Sequence, residues 1–238
     1  MSNKHGSSYY EKHYKRSIFH RRGDNPYVNI FWIKYIRKYK ESGKLLEVGC
    51  GEGYFLKRIS SYYSIWGIDI NEYAVDIARE VAPKAIIKLC DATKLPFKTS
   101  FFDVIVAFDV IEHLRQPELF FKEANRVLKI GGILIVRTPN PISFGARIKR
   151  EQWFGFRDET HVSILSSKEW KKILLDFKFI ILEEGTDTLW DTPYFKFIPN
   201  VIQKPLFIGT HVLLNMIYRG FFNWSLGENW VCISMKQM

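Results

Sequence analysis

The chain has little that would tie it to an oxidising compartment or to a structural metal. Its 238 residues include three cysteines, Cys50, Cys90 and Cys232, which are dispersed along the sequence. No CxxC pair and no Cys/His spacing suited to zinc occurs, which argues against a disulfide scaffold or a zinc module. The first residues lack the apolar core of a secretory signal. We therefore expect a cytoplasmic protein with reduced thiols and no metal.

Long hydrophobic runs are also missing. The longest apolar stretch, Leu206–Tyr218, is too short and too interrupted to cross a membrane. Hydrophobic residues make up 47% of the chain and charged residues 25%, a balance typical of a globular protein and not of a disordered one. The length fits one α/β domain with additions.

Negative charge is scarce near the N-terminus. Residues 1–44 hold eleven Lys or Arg against three acids, an excess that accounts for most of the net charge of +10. A basic segment can bind RNA, an anionic membrane surface or an acidic substrate. A solvated face that aids solubility is the other interpretation.

The stretch LLEVGCGEGYF, Leu45–Phe55, places three glycines after an apolar run. Neither the dinucleotide fingerprint GxGxxG nor the phosphate loop GxxxxGK[ST] fits this spacing. Glu47 precedes the first glycine by two residues. A carboxylate there is awkward beside a pyrophosphate but useful beside a cationic ligand, which argues against NAD.

From residue 44 onward, short apolar runs alternate with amphipathic segments. This alternation predicts a parallel sheet with helices on both faces, and ligands beyond the carboxyl ends of its strands. A capping box at Ser166–Glu169 opens a later helix, and Gly131-Gly132 suggests a tight turn before the fifth strand. The predicted strands are Leu45–Val48, Ile65–Ile70, Ile86–Lys88, Val104–Phe108, Ile133–Arg137, 178–184 and 229–235, and the predicted helices are 54–62, 72–81 and 117–129.

Two further acids follow predicted strands. Asp69 ends the second strand, 22 residues after Glu47, where a carboxylate can accept hydrogen bonds from ribose hydroxyls. Asp91 follows the third, where a carboxylate can accept from an adenine amino group. With the glycines, the loop Asp109–His113 and the turn Leu128–Gly132, these residues resemble the class I S-adenosylmethionine-dependent methyltransferases over residues 44–140, and more diffusely to 183.

The resemblance implies a fold and a cofactor site. The fold is α/β: a Rossmann-like, seven-stranded, mostly parallel sheet with helices on both faces and an antiparallel terminal hairpin. Glu47 is expected near the methionine amino group of S-adenosylmethionine, and Asp69 at its ribose. Gly49, Gly51 and Gly53 are expected to let the backbone approach the amino-acid and ribose part of the cofactor. The full set of cofactor-binding residues expected from the resemblance is Glu47, Gly49, Cys50, Gly51, Gly53, Asp69, Ile70, Asp91, Ala92, Phe108 and Tyr14.

The methyl acceptor is less clearly marked. The (D/N)PP(Y/F) signature of amino-methylating enzymes is replaced after the fourth strand by Asp109-Val110-Ile111-Glu112-His113. This loop is similar to that of the branch containing quinone-biosynthesis and other small-molecule O- and C-methyltransferases. The later segment containing Thr160-His161-Val162 is similar to the same branch, and it places His161 over the cofactor's methyl group.

Both histidines are candidates for catalysis. Imidazole can take the proton from a hydroxyl acceptor as the methyl group arrives, with Asp158 or Glu159 orienting His161. His161 packing structurally against the strand ends is the competing interpretation. His113 is the rival base, and in the resembling branch it more often supports the loop.

The two ends of the chain suggest additions to the core. Residues 1–43 are predicted to form a basic helical lid, with one of Tyr9, Tyr10 and Tyr14 reaching the cofactor's carboxylate. The core then spans 44–189, a hydrophobic cap 190–226, and the last core strand 227–238. The part of the cap at 194–224 is expected either to cover the acceptor pocket or to touch the inner membrane face peripherally, and these interpretations are compatible.

The sequence thus predicts an S-adenosylmethionine-dependent methyltransferase that acts on a small-molecule or lipid-linked acceptor, most readily at oxygen, and releases S-adenosylhomocysteine. An RNA methyltransferase that uses the basic N-terminus is one alternative, although nucleic acid is disfavoured by the missing signature. A non-catalytic cofactor-binding scaffold is the other. The oligomeric state is left open.

Overall fold

Seven strands form one sheet in which a single strand runs against its neighbours. The computed structural model describes residues 26–207 and 226–238. The strands lie in the order β3-β2-β1-β4-β5-β7-β6. β1 to β5 pair in parallel, whereas β7 is antiparallel to both β5 and β6, which confirms the predicted fold class. The strands are β1 (Gly43–Val48), β2 (Tyr63–Asp69), β3 (Ile86–Leu89), β4 (Phe102–Phe108), β5 (Leu128–Pro139), β6 (Phe179–Thr186) and β7 (Asn229–Lys236).

Side-chain caps mark the start of three of the helices within the described residues, at Asn71, Ser143 and Ser166. Asn71 accepts from the backbone N–H of Ala74 at 3.1 Å, and Ser166 and Glu169 form the reciprocal capping box. Residues 200–207 are also helical. The remaining helices are α1 (Pro26–Tyr39), α2 (Tyr54–Ile59), α3 (Glu72–Val81), α4 (Pro117–Val127), α5 (Phe144–Lys149), α6 (Phe154–Arg157) and α7 (Ser167–Asp176), with 3₁₀ turns at Ile111–His113 and Arg150–Gln152.

The core has two layers, one on each face of the sheet. Alternate residues of a strand point to opposite faces, so that Leu45 joins a cluster with α1, α2 and α3 while Leu46 joins one with α4 and α7. α1 contributes the buried Trp32 and Ile36 to the first cluster. Burial on both faces explains why these strands read as continuous apolar runs.

One predicted turn is wrong. β5 begins at Leu128, so Gly131 and Gly132 lie inside the strand and not before it. The pairing with β4 jumps from Phe102–Leu128 to Val104–Ile133, and the extra residues of β5 form a bulge. Gly131 has a φ of 70° in this bulge, a conformation that glycine adopts without penalty.

The strand order reverses between β1 and β4, and this reversal positions the site. The loop after β1 and the loop after β4 both leave the sheet at its carboxyl edge beside the reversal, where ligands bind in folds of this kind. Tyr9, Tyr10 and Tyr14 of the predicted lid lie outside the described residues, as do residues 208–225 of the predicted cap. No helix among residues 26–207 and 226–238 is long and apolar enough to span a bilayer.

Candidate active site

The loop after β1 depends on glycine at two positions. Gly49 has a φ of 70°, and a Cβ there would lie 2.4 Å from Cγ2 of Val110 in the loop after β4. Gly53 has a φ of 78° and immediately precedes α2, and its Cβ would lie 3.1 Å from Cα of Ala78. Any other residue would strain the backbone and crowd its neighbours at both positions.

Asp69 ties the loop after β1 to the loop after β2. Its Oδ2 accepts from the backbone N–H of Gly51 at 2.8 Å, and its Oδ1 accepts from that of Asn71 at 2.9 Å. Two more loop N–H groups, of Gly49 and Cys50, donate to the carbonyl of Ile68. The predicted ribose-binding carboxylate therefore also fixes the shape of the glycine loop.

Glu47 is an ionisable group buried with an oxygen left unpaired. The side chain is 6% exposed, and its Oε2 has no hydrogen-bond partner among the described residues. Burial raises the pKa of this carboxyl well above its usual range, and the Asp69 carboxylate raises it further. A cation placed here would satisfy the orphaned oxygen and favour its ionised form.

The remaining predicted cofactor residues lie around the same edge. Both Asp91 and Ala92 belong to the loop after β3: Ala92 is buried, whereas Asp91 is exposed, with its Oδ1 accepting from the N–H and hydroxyl of Thr93. Cys50 is buried, and burial raises the pKa of its thiol. Ile70 is 56% exposed and follows Asp69 towards solvent. These residues lie in the loops that follow β1 to β3, at the carboxyl edge of the sheet, and Tyr14 lies outside the described residues.

Phe108 has a neighbour that the sequence analysis did not identify. Its ring centroid lies 4.4 Å from that of Trp32 in α1 and 5.7 Å from that of Phe55 in α2. α1 therefore closes one side of the site with an aromatic side chain. No local motif marks Trp32, because its role depends on how α1 packs against a strand far away in sequence.

The two candidate bases meet at the carboxyl edge of β4. The rings of His113 and His161 contact edge to face, with centroids 4.8 Å apart. His161 Nδ1 lies 2.7 Å from the carbonyl oxygen of Gly155. A carbonyl can only accept, so Nδ1 carries the proton and Nε2 carries the lone pair. The carbonyl of Gly155 orients His161, whereas Asp158, one of the two acids proposed for that role with Glu159, lies 3.9 Å from Nε2.

The ring of His113 is also held by a backbone carbonyl, and its burial affects its pKa. Its Nδ1 lies 3.2 Å from the carbonyl oxygen of Thr160 and 3.0 Å from its hydroxyl, which in turn donates to Asp158 Oδ1. Burial, followed by the neighbouring His161, lowers the pKa of His113 to about 4. His113 is therefore neutral at pH 7.

Glu112 connects the two loops that carry these histidines. Its backbone carbonyl accepts from the N–H groups of Val162 and Ser163, both at 2.9 Å. Its side chain is fully buried, with Oε2 accepting from the Thr138 hydroxyl at 3.1 Å. Ligand-type atoms of Glu112, His113 and His161 lie within 4.8 Å of one another. Burial raises the pKa of Glu112 well above its usual range, and the nearby Asp109 raises it further.

Charged side chains missed by the sequence analysis occupy the ends of β4 and β5. Arg137 holds Asp109 through a bidentate contact, with Nε 3.0 Å from Oδ1. Beyond β6, Asp187 accepts from the backbone and side chain of Asn229 and from the Trp190 indole. Burial nevertheless raises the pKa of Asp187 to about 7. Asp109, in contrast, is paired with Arg137.

The residues present fit S-adenosylmethionine. The unpaired Glu47 oxygen suits an ammonium group, and Asp69 at the end of β2 offers a carboxylate beside the glycine loop. Strand order, glycine loop and edge carboxylates together define a class I methyltransferase fold. The comparisons with known proteins agree with this assignment.

A family model described as a methyltransferase domain matches residues 46–136. A probable S-adenosylmethionine-dependent methyltransferase of Mycolicibacterium smegmatis is 40% identical over 101 residues, which are 42% of this chain and 39% of that protein. An uncharacterised protein of Methanocaldococcus jannaschii is 30% identical over 147 residues, 62% of this chain and 69% of that one. Residues 46–136 thus form a methyltransferase domain of the S-adenosylmethionine-dependent type, and S-adenosylmethionine is the cofactor that this family uses.

Other similarities are more distant. A ubiquinone biosynthesis O-methyltransferase of Pelagibacter ubique is 29% identical over 117 residues, 48% of this chain and 49% of that enzyme. The solved structure of an S-adenosylmethionine-dependent methyltransferase from Archaeoglobus fulgidus covers 96% of this chain and 98% of its own, with a TM-score of 0.63 and 20% identity, which shows the shared fold. The chain spans about two fifths of the length of the M. smegmatis relative that it matches.

Proposed function

We propose that the protein transfers a methyl group from S-adenosylmethionine to a hydroxyl of a small-molecule or lipid-linked acceptor and releases S-adenosylhomocysteine. When bound, the cofactor supplies an electrophilic methyl group on a sulfonium. The protein's own contribution is then chiefly the positioning of the two reactants. Peripheral membrane contact through residues 194–224 belongs to this proposal.

The observation that carries the choice of oxygen is the tautomer of His161. With Nδ1–H donated to Gly155, Nε2 is left as a fixed proton acceptor at the carboxyl edge, beside the loops proposed to hold the cofactor. A hydroxyl acceptor must lose its proton as the methyl group arrives, and a positioned imidazole meets that need. The similarity to an O-methyltransferase of ubiquinone biosynthesis supports the same class of acceptor.

Of the two histidines, His161 is the better candidate base. A base whose pKa is about 4, as for His113, holds an accepted proton poorly near neutral pH. We assign His113 to positioning: its ring packs on His161, and its bond to Thr160 ties the loop after β5 to the loop after β4.

The cofactor roles follow from the same edge. Glu47 is proposed to receive the methionine ammonium group, Asp69 the ribose and Asp91 the adenine, with Phe108 lining the site. Gly49, Cys50, Gly51, Gly53, Ile70 and Ala92 complete the proposed set within the described chain, and Tyr14 is proposed to join it from the N-terminal lid.

The first experiment is a methyl-transfer assay with radiolabelled S-adenosylmethionine and host extract, separated afterwards into lipid, RNA, protein and water-soluble fractions. Label in the lipid or the water-soluble fraction is expected. Label confined to RNA would contradict the acceptor class and favour the basic N-terminus as a nucleic-acid footprint. Failure to release S-adenosylhomocysteine with any fraction would favour a non-catalytic scaffold.

Once an acceptor is known, His161→Gln and His113→Gln separate base from support. We expect His161→Gln to lower kcat by about 10²- to 10⁴-fold, the usual contribution of general-base catalysis. His113→Gln should lower kcat less. Cofactor affinity, measured by calorimetry, should stay near the wild-type value in both variants. Unchanged turnover in His161→Gln would contradict the assignment of His161 as the base.

A further inference from the structure

A second layer of chain covers the carboxyl end of β5 and the neighbouring amino end of β7. We call residues 139–157 and 187–207 the upper layer. Its two parts are joined through Glu228, a fully buried carboxylate that precedes β7. Glu228 accepts from Tyr194 Oη and Trp153 Nε1, both at 2.6 Å, and from Ser143 Oγ at 3.1 Å. The upper layer is therefore fixed to the sheet at the edge where the candidate active site lies.

Further contacts set the orientation of its outer turn. Lys149 Nζ lies 2.7 Å from Asp191 Oδ2. The buried Gln203 side chain accepts from the N–H groups of Tyr194 and Phe195 and donates to the carbonyl of Phe195. These bonds fix the turn at 194–203 against the rest of the upper layer.

The outward side is strongly apolar and exposed. Phe197 is 99% exposed and Val201 77%, and the other apolar side chains of this stretch are between 40% and 59% exposed. A contiguous exposed patch of this kind on a folded domain marks an interaction surface. Its members are Phe195, Phe197, Ile198, Val201, Ile202 and Leu206, and Ile142, Ile148 and Phe156 are exposed apolar side chains in the other part of the upper layer.

The exposed charges of the upper layer have one predominant sign. Arg147, Arg150, Arg157, Lys196 and Lys204 are exposed, whereas Glu151 is the one exposed acid within residues 139–157 and 187–207. Exposed aromatic and aliphatic side chains interspersed with Lys and Arg suit the boundary between lipid headgroups and acyl chains, where anionic lipids attract the basic residues.

We infer that the outer face of the upper layer docks on an anionic lipid bilayer, so that the active-site edge of the sheet faces the membrane. The inference rests on the proposed function and deepens it, because the acceptor would then be a lipid-linked molecule drawn from the bilayer. A second copy of the chain is a poorer occupant, since a symmetric contact would bring five exposed cations against five more. Aliphatic side chains offer nothing to the phosphates or base edges of RNA.

The test uses the full-length protein and flotation with vesicles. Phosphatidylcholine vesicles are compared with vesicles that also contain phosphatidylglycerol. We expect the wild type to float with the anionic vesicles and much less with the neutral ones. Val201→Ser combined with Ile202→Ser should reduce the bound fraction about tenfold, and Lys196→Glu combined with Lys204→Glu by a similar factor.

Matched controls come from the opposite edge of the sheet. Ile130 and Leu175 are 63% and 59% exposed at the amino ends of β5 and β6, so Ile130→Ser with Leu175→Ser changes as much exposed apolar surface. Lys98→Glu with Lys122→Glu is the control for charge. Both should float like the wild type. Far-ultraviolet circular dichroism and cofactor binding verify that every variant is folded.

A loss of vesicle binding that is confined to the upper-layer variants supports the docking face. Three results would overturn the docking face: the wild type does not float, the controls lose as much binding, or the protein forms a dimer that the upper-layer substitutions disrupt. Binding that appears only when residues 208–225 are deleted would also overturn it, because that segment would then cover the face. Flotation needs no turnover, so its absence would leave methyl transfer standing, whereas a protein that floats but never releases S-adenosylhomocysteine would overturn the proposed function alone.

Discussion

Glu47 illustrates how a single residue can be placed for a ligand at a cost to the free protein. The carboxyl is buried next to another acid, one oxygen lacks a partner within the described chain, and its pKa is raised. A residue selected for stability alone would not be an acid here, because an uncompensated buried charge is expensive. An ammonium group of the cofactor would remove that cost, which makes the residue a test of the cofactor's orientation.

We expect Glu47→Gln to weaken S-adenosylmethionine binding by about 10- to 100-fold, the usual loss for a hydrogen bond to a charged group, while the melting temperature without cofactor stays unchanged or rises. In the wild type, affinity should fall as the pH drops and protonates Glu47, and this dependence should be lost in the variant. Calorimetric titration across pH measures both. Glu80→Gln, at an exposed position of α3, is the control, and equal effects in the two variants would contradict the assignment.

Gly49 and Gly131 separate backbone strain from crowding. Both have a φ of 70°, but an added Cβ meets Val110 Cγ2 at 2.4 Å in the first case and nothing within 4 Å in the second. We expect Gly131→Ala to cost about 1 kcal/mol of stability and Gly49→Ala about 3 kcal/mol, measured by urea unfolding. Val110→Ala should recover part of the extra loss in Gly49→Ala. Equal costs at the two glycines would show that the loops after β1 and β4 do not meet closely.

At the scale of elements, the attachment of the upper layer depends on one carboxylate with three donors. We expect Glu228→Ala to destabilise the protein by about 3 kcal/mol, since Ser143, Trp153 and Tyr194 would each lose a buried acceptor. Tyr194→Phe removes one donor and should cost about 1–2 kcal/mol. Hydrogen exchange should rise at residues 187–203 in both variants while β1 and β4 stay protected. Uniform loss of protection would mean that the upper layer is not a separate unit of stability.

The elements could be predicted from sequence where local pattern and tertiary environment agree. Continuous apolar runs found β1 and β4, because both strands are buried on both faces, and the capping box found the start of α7. The bulge in β5 was missed, because Gly131-Gly132 reads locally as a turn and only the pairing with β4 shows that the strand continues around it.

The same division holds for the site. Glu47, Asp69, Asp91, His113 and His161 could be proposed from the sequence because each follows or ends an apolar run or belongs to a short motif. Their partners could not: Trp32, Arg137 and Gly155 touch the site through packing between segments that no periodicity connects. His161 shows the consequence, since the sequence suggested a nearby acid as its orienting group and the structure supplies a backbone carbonyl.

At the scale of the whole molecule, stability should depend on pH through groups with opposite effects. The native pKa of His113 is about 4 against an ordinary value of 6.5, so between these values the unfolded chain binds more protons. The stabilising contribution of His113 is therefore complete above pH 6.5 and is lost as the pH falls towards 4. Asp187 is the reverse: with a native pKa of about 7 against 3.8, it contributes stability at low pH that is lost as the pH rises towards 7.

Single substitutions should expose the two opposing slopes. We expect the stability difference between wild type and His113→Asn, which keeps a donor for Thr160, to grow by about 3 kcal/mol in favour of the wild type from pH 4 to 7. The difference between wild type and Asp187→Asn should change in the other direction over the same range. Urea unfolding at a series of pH values measures both. Burial also raises the pKa values of Glu47 and Glu112, so the ionisation of these acids as the pH rises should cost stability in the same direction as that of Asp187. Saturating S-adenosylmethionine should reduce that loss, since pairing Glu47 with a cation makes its ionisation favourable in the folded state.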